Sequence, residues 1–139
     1  MIELQEHLEK FGMKSCPIDN SLKILRQKYA LHIIRNMIIL KQNRFGQFLR
    51  SIEGINTKTL SVRLREMEDS GLINRTMIPT RPARIEYSLT EKGNALEPLL
   101  VHMAIFSARN KPKNVFKDGR PRITIKQIFR ANRLSAIYE

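Results

Sequence analysis

Lys58, Thr59, Ser61, Val62 and Arg65 place two cations, two hydroxyls and one small apolar group within one short stretch. Arg and Lys pair with phosphates and guanine edges, hydroxyls bond base edges, and a small apolar group meets a thymine methyl. That is the chemistry of reading duplex DNA. At about 100° per residue, Leu60, Leu64 and Met67 recur at i, i+4 and i+7 and form one apolar face. The five residues then point the other way. Thr57 opens the same helix, and Arg63 adds a cation for phosphates. The plain alternative is an amphipathic surface helix with a solvated polar face.

The elements around this helix decide between the two. The helix is expected over Asn56 to Ser70. Asn56 is a suitable N-cap, and Gly71 stands where a left-handed C-cap residue is wanted. Before it, Phe45, Phe48 and Leu49 mark a short helix with Arg50 outside, and Ile52 to Ile55, with Gly54, makes a turn. Two helices, a turn and a basic second helix give a helix-turn-helix pattern. After Gly71, residues 72–78 and 85–89 read as two strands, broken by Pro79-Thr80-Arg81-Pro82-Ala83-Arg84. A hairpin directly after a recognition helix is a wing. Arg81 and Arg84 at a Pro-rigidified tip suit a minor groove or phosphates.

The flanks supply core and contacts. Residues 2–12 look helical, with Leu4, Leu8 and Phe11 on one face. After the break at Cys16-Pro17, Asp19 or Asn20 is expected to cap a helix. Leu22 to Leu40 then forms one bent helix or two consecutive ones. His32 has no metal-ligand spacing around it and reads as a core-edge histidine. Thr90 caps a further helix running to about Ala108, apolar on nearly every side, in which Pro98 bends the helix or marks a restart. A chain this small covers two apolar sides most economically with a second copy of itself. The expected dimer interface is Leu4, Leu8, Leu99, Leu100, Met103 and Phe106.

Composition narrows the partner. The 139 residues carry a net charge of +12, with 42% hydrophobic and 27% charged residues. Such a balance in a globular chain points to a polyanion, nucleic acid or an anionic membrane. No apolar run is long enough to span a bilayer, and the acidic N-terminus is not a signal peptide. Aromatics at 6% give no stacking platform for single-stranded RNA. A single cysteine, Cys16, excludes an internal disulfide and fits a reducing cytoplasm. Paired catalytic carboxylates, a nucleotide-binding Gly loop and a Cys/His metal set are all missing, so neither an enzyme nor a cofactor is expected.

Residues 109–139 hold nine of the 25 Lys and Arg against two acidic residues. Asn110 to Arg122 looks like an extended Pro- and Lys-rich linker. Within it, Gly119-Arg120-Pro121-Arg122 is similar to the short Gly-Arg-Pro arms of DNA invertases and AT-hook peptides, which implies minor-groove contact by Arg120 and Arg122. A flexible phosphate-binding tail is the other reading. Thr124 to Tyr138 can form a terminal helix.

Over residues 16 to 103 the chain resembles the HxlR-type winged helix-turn-helix transcriptional regulators, within the MarR-like superfamily. The resemblance lies in Cys16-Pro17, Lys28-Tyr29, Arg44-Phe45, Gly54-Ile55, Leu60, Leu64-Arg65-Glu66-Met67-Glu68, Gly71-Leu72-Ile73 and Arg75. It continues through Pro79, Pro82, residues 86–90, Gly93, Leu96 and Pro98. The family usually has Gly-Gly-Lys-Trp in place of Arg26-Gln27-Lys28-Tyr29. It often has Asn-Glu-Leu in place of Gly46-Gln47-Phe48. The resemblance implies a dimeric winged helix on a two-fold operator near a promoter. In some members a cysteine at the position of Cys16 senses oxidants, which makes Cys16 a candidate redox sensor. A semi-buried packing cysteine is the alternative.

Together these readings predict a mainly α fold with a small β-hairpin, a winged helix-turn-helix dimerising through its N- and C-terminal helices. The expected organisation is an arm (1–15), the winged domain with its dimerisation helix (16–108) and a basic extension (109–139). The expected function is sequence-specific transcriptional regulation in the cytoplasm by a homodimer on double-stranded DNA. The alternative is an architectural, largely non-specific DNA-coating protein of the nucleoid.

Overall fold

Pro17 starts a helix that buries none of its residues, and Leu22, expected in the core, is exposed. In the computed structural model, which describes residues 2–122, α1 (Ile2–Lys10) is followed by α2 (Pro17–Leu25) and α3 (Ala30–Ile39). Cys16 is the N-cap of α2 with Pro17 in its first turn. Proline fits there because its φ is already helical and its missing N–H is one that the first turn leaves unbonded anyway. The expected cap at Asp19 or Asn20 is therefore corrected: both lie inside the helix. The apolar run to Leu40 is two helices, separated at Arg26–Tyr29. Tyr29 has φ 76° and caps α3 from the left-handed region.

The helix-turn-helix follows as α4 (Phe45–Ser51) and α5 (Thr57–Asp69). Gln47 Oε1 accepts the backbone N–H groups of Asn43 at 2.8 Å and Arg44 at 3.0 Å, closing the start of α4. Gly54 turns the chain at φ +81°, and a Cβ there would stand 3.0 Å from Tyr29 Oη. Both facts call for glycine. Asn36, fully buried on α3, donates to Gln42 Oε1 at 3.0 Å and Ser51 Oγ at 2.9 Å, and accepts from Arg35 Nε at 2.9 Å. This network joins α3 to the end of α4. Around it Ile33, Ile34, Phe48, Leu60, Leu64 and Ile73 form the centre of an apolar core.

β1 (Ile73–Ile78) and β2 (Arg84–Leu89) form the antiparallel hairpin, with Ile73 opposite Leu89 and Ile78 opposite Arg84. Its base is anchored twice. Tyr87 N–H donates to the Asn43 carbonyl at 2.8 Å, and the Thr90 hydroxyl bonds the carbonyls of Gly71 and Leu72. Beyond Ile73 β1 is mostly exposed, while β2 is mostly half-buried.

The chain divides into two compact units, Met1–Thr90 and Glu91–Glu139. The second begins with α6 (Glu91–Asn94) and restarts as α7 (Glu97–Asn110), with Pro98 in the first turn. Pro98 thus marks a restart. The segment from Asn110 to Arg122 is not the extended linker expected. Pro112 opens a helical turn, α8 (Pro112–Val115), and Arg122 N–H returns to the Ala108 carbonyl at 3.2 Å. The helix expected over Thr124 to Tyr138 lies outside the described residues.

Candidate nucleic-acid interface

The start of α5 is held by the Asn56 side chain, whose Oδ1 accepts Thr59 N–H at 2.8 Å. Its end is released by Gly71 at φ +79°. Leu60, Leu64 and Met67 are buried, so the opposite face is turned to solvent. Thr57, Lys58, Ser61, Val62 and Arg65 are exposed there, and Thr59 is half-buried. Val62 is 42% exposed. An apolar residue left open on a recognition helix suits a thymine methyl. Arg50 is also exposed on α4, its guanidinium close over Gly46.

Arg63 is placed differently. Its Nε donates to the Lys28 carbonyl at 2.8 Å and its Nη1 pairs with Glu66 at 2.8 Å. The side chain is only 15% exposed. It ties α5 to the break between α2 and α3 rather than standing ready for a phosphate.

At the wing, Arg81 is exposed at the tip, where the Arg81–Pro82 bond is cis. Arg84 pairs with Glu86 at 3.0 Å, and Glu86 also accepts from Asn43 Nδ2 at 3.3 Å. Between α5 and the hairpin lies a cleft of about 400 Å3. Ser61, Arg65 and Glu68 line it from α5, Arg75 from β1 and Tyr87 from β2, over Phe45. Arg75 and Tyr87 are directly opposite each other in the hairpin register. Reading the chain linearly missed both as site residues. The signal was present in strand alternation, which puts a cross-strand pair on one face. Tyr87 also packs edge-on to Phe48, with centroids 6.3 Å apart.

In the second unit the Gly119-Arg120-Pro121-Arg122 segment is folded on itself. Arg122 Nη1 donates to Asp118 Oδ1 at 2.7 Å and to the Arg120 carbonyl at 2.7 Å. Its guanidinium lies 4.0 Å from the centroid of the Phe116 ring. The Arg122 side chain, with the Arg120 N–H, holds the Asp118 carboxyl below its ordinary range. Arg120 itself is exposed.

On α7, Leu99, Met103 and Phe106 are 40%, 47% and 58% exposed, while Val101 and Ala108 are buried and Leu100 is half-buried. Leu4 is exposed, but Leu8 is already buried within the single chain. Cys16 is half-buried at its cap position. His32 lies edge-on to Tyr29, and partial burial, then Arg35, lowers its pKa. Among the described residues no cluster of His, Cys, Asp and Glu has metal-ligand geometry, and no helix is long and apolar enough to cross a membrane.

A capped helix with a polar outer face, preceded by a short helix and turn and followed by a hairpin, defines a winged helix-turn-helix. Residues 24–115 match the family described as HxlR-like helix-turn-helix, and the chain belongs to that family. It is 41% identical over 88 residues to an HTH-type transcriptional regulator of Synechocystis, a match spanning 63% of this chain and 64% of that protein. It is 33% identical over 100 residues to the HTH-type transcriptional regulator YdeP of Bacillus subtilis, spanning 72% and 77%. A solved MarR-family regulator from Porphyromonas gingivalis superposes with a TM-score of 0.60 at 34% identity, covering 70% of this chain and 94% of that one. The family is one of transcriptional regulators and not of enzymes.

Proposed function

We propose that this regulator binds a two-fold operator as a homodimer. One α5 enters each major groove, with half-sites about 34 Å apart. Thr57, Lys58, Thr59, Ser61 and Val62 meet base edges and neighbouring phosphates. Arg50 holds the backbone, and Arg81 and Arg84 carry the wing to the flanking minor groove. The observation that carries the reading is α5 itself, which is capped at its start and buried on one side while a row of hydrogen-bonding side chains stays open on the other. The exposed stripe Leu99, Met103 and Phe106 supports pairing of two copies. The regulators among its relatives give the coating alternative no support.

Selection of bound duplexes from a random-sequence pool, followed by footprinting, tests this. The expected product is an inverted repeat with protection over two half-sites. In that duplex Lys58→Ala weakens binding by roughly 1–3 kcal/mol and relaxes preference at one position per half-site. Recovery of unrelated sequences without a repeat would sink the proposal.

A further inference from the structure

We infer that Arg75 and Tyr87, with Arg65 and Ser61, form a seat for one DNA phosphodiester in the cleft between α5 and the wing. The inference rests on the operator-binding reading above and adds Arg65, Arg75 and Tyr87 to it, with Ser61 turned to a phosphate.

Four observations lead here. First, the cations near this face fall into two groups. Arg63 and Arg84 are paired with Glu66 and Glu86 at 2.8 and 3.0 Å. Arg65 and Arg75 are exposed and have no ion pair within 4.0 Å among the described residues. Second, those two line the same cleft. Glu68 lines it too, so two guanidinium groups against one carboxylate leave it positive. Third, the cleft offers neutral donors, the hydroxyls of Ser61 and Tyr87. Guanidinium and hydroxyl donors are the usual partners of phosphate oxygens. Fourth, the seat joins two elements. Ser61 and Arg65 are one turn apart on α5, while Arg75 and Tyr87 are a cross-strand pair. A phosphate held between them would fix α5 and the wing to one point of the backbone. It carries no sequence information, so Arg65 becomes a positioning residue and the base-reading face contracts toward the start of α5.

Protein–DNA affinity measured between 50 and 200 mM salt separates the outcomes. The selected operator and a scrambled duplex are compared, using the full chain. Arg75→Ala is expected to weaken both duplexes alike, by about tenfold, and to make the slope of log K against log[salt] less negative by about 0.9. Arg65→Ala should do the same, and because the two cations share one phosphate, the double variant should lower the slope by no more than about 0.9 in all. Arg75→Lys should keep the slope, and Tyr87→Phe should cost a few-fold at constant slope, since it removes an uncharged donor and leaves the ring on Phe48. An unchanged slope in Arg75→Ala, or a loss confined to the operator, would overturn the seat while leaving operator recognition standing. Wild-type protein that does not distinguish the two duplexes would remove the operator reading itself. Thermal unfolding of each variant shows that the chain is folded, and Arg75, being exposed, should leave the midpoint in place.

Discussion

Arg63 and Arg65 are two residues apart on α5 and are used in different ways. A helix turns about 200° over two residues, so one guanidinium faces the body of the unit and the other the wing cleft. Arg63 bridges α5 and the Lys28 carbonyl across 35 positions of sequence. Replacing it with Ala removes a charge-assisted bond and the Glu66 pair. Arg63→Ala should therefore lower unfolding stability by about 1–2 kcal/mol, read by urea denaturation. The salt slope of DNA binding should stay as in wild type. A lowered slope with full stability would show that Arg63 leaves its internal partners to hold a phosphate. Tyr29 and Gly54 follow the same logic of close tertiary fit. The Tyr29 hydroxyl occupies the space that a side chain at position 54 would need.

At the scale of elements, α5 depends on its cap. Four N–H groups at a helix start lack internal partners, and Asn56 satisfies one of them. Asn56→Ala should cost about 1 kcal/mol, while Asn56→Ser should recover most of it. Equal stability of the two variants would show that the cap bond contributes nothing. Asn56 and Gly71 were legible from sequence because capping chemistry is local, involving residues within one turn. The apolar spacing of Leu60, Leu64 and Met67 was legible for the same reason, and all three are buried. The hairpin ends fell within a residue of expectation, since Pro79 and Pro82 break the strands. What escaped was tertiary. Nothing near Arg63 in sequence announces Lys28, and nothing near Arg75 announces Ser61. The segment after Asn110 reads as extended in sequence because it is rich in proline and lysine. Pro112 instead opens a helical turn, and Phe116 offers Arg122 a ring to lie on.

At the scale of the whole molecule, charge and pairing decide affinity. The net +12 draws the chain to DNA, but part of it is already spent internally, as in the Arg122–Asp118 pair at 2.7 Å. In the proposed homodimer, affinity also rests on bringing two recognition helices to one duplex, which multiplies binding without new contacts. The exposed row Leu99, Met103 and Phe106 on α7 is the proposed means. The double variant Met103→Glu, Phe106→Glu should convert a dimer to a monomer in sedimentation velocity. Operator affinity should fall by roughly 100-fold, as expected when a second site is no longer tethered. A dimer that survives both charges would place the interface elsewhere.

The hairpin anchored at Asn43 and Thr90 is also a measuring rod. Six residues per strand extend it by about 20 Å. Half a helical turn of DNA, the step from a major groove to the next minor groove, is about 17 Å. Its foot is tied beside α5 by the Tyr87 N–H bond to the Asn43 carbonyl and by the Thr90 hydroxyl. The number of residues in β1 and β2 would then set how far outside each half-site the protein touches, and so where flanking sequence begins to matter. Residues added to both strands at the tip, beyond Arg75 and Tyr87, would lengthen the reach while leaving that pair on the cleft. On the proposed binding mode, the reach of the wing is then set at its tip, independently of the cleft at its foot.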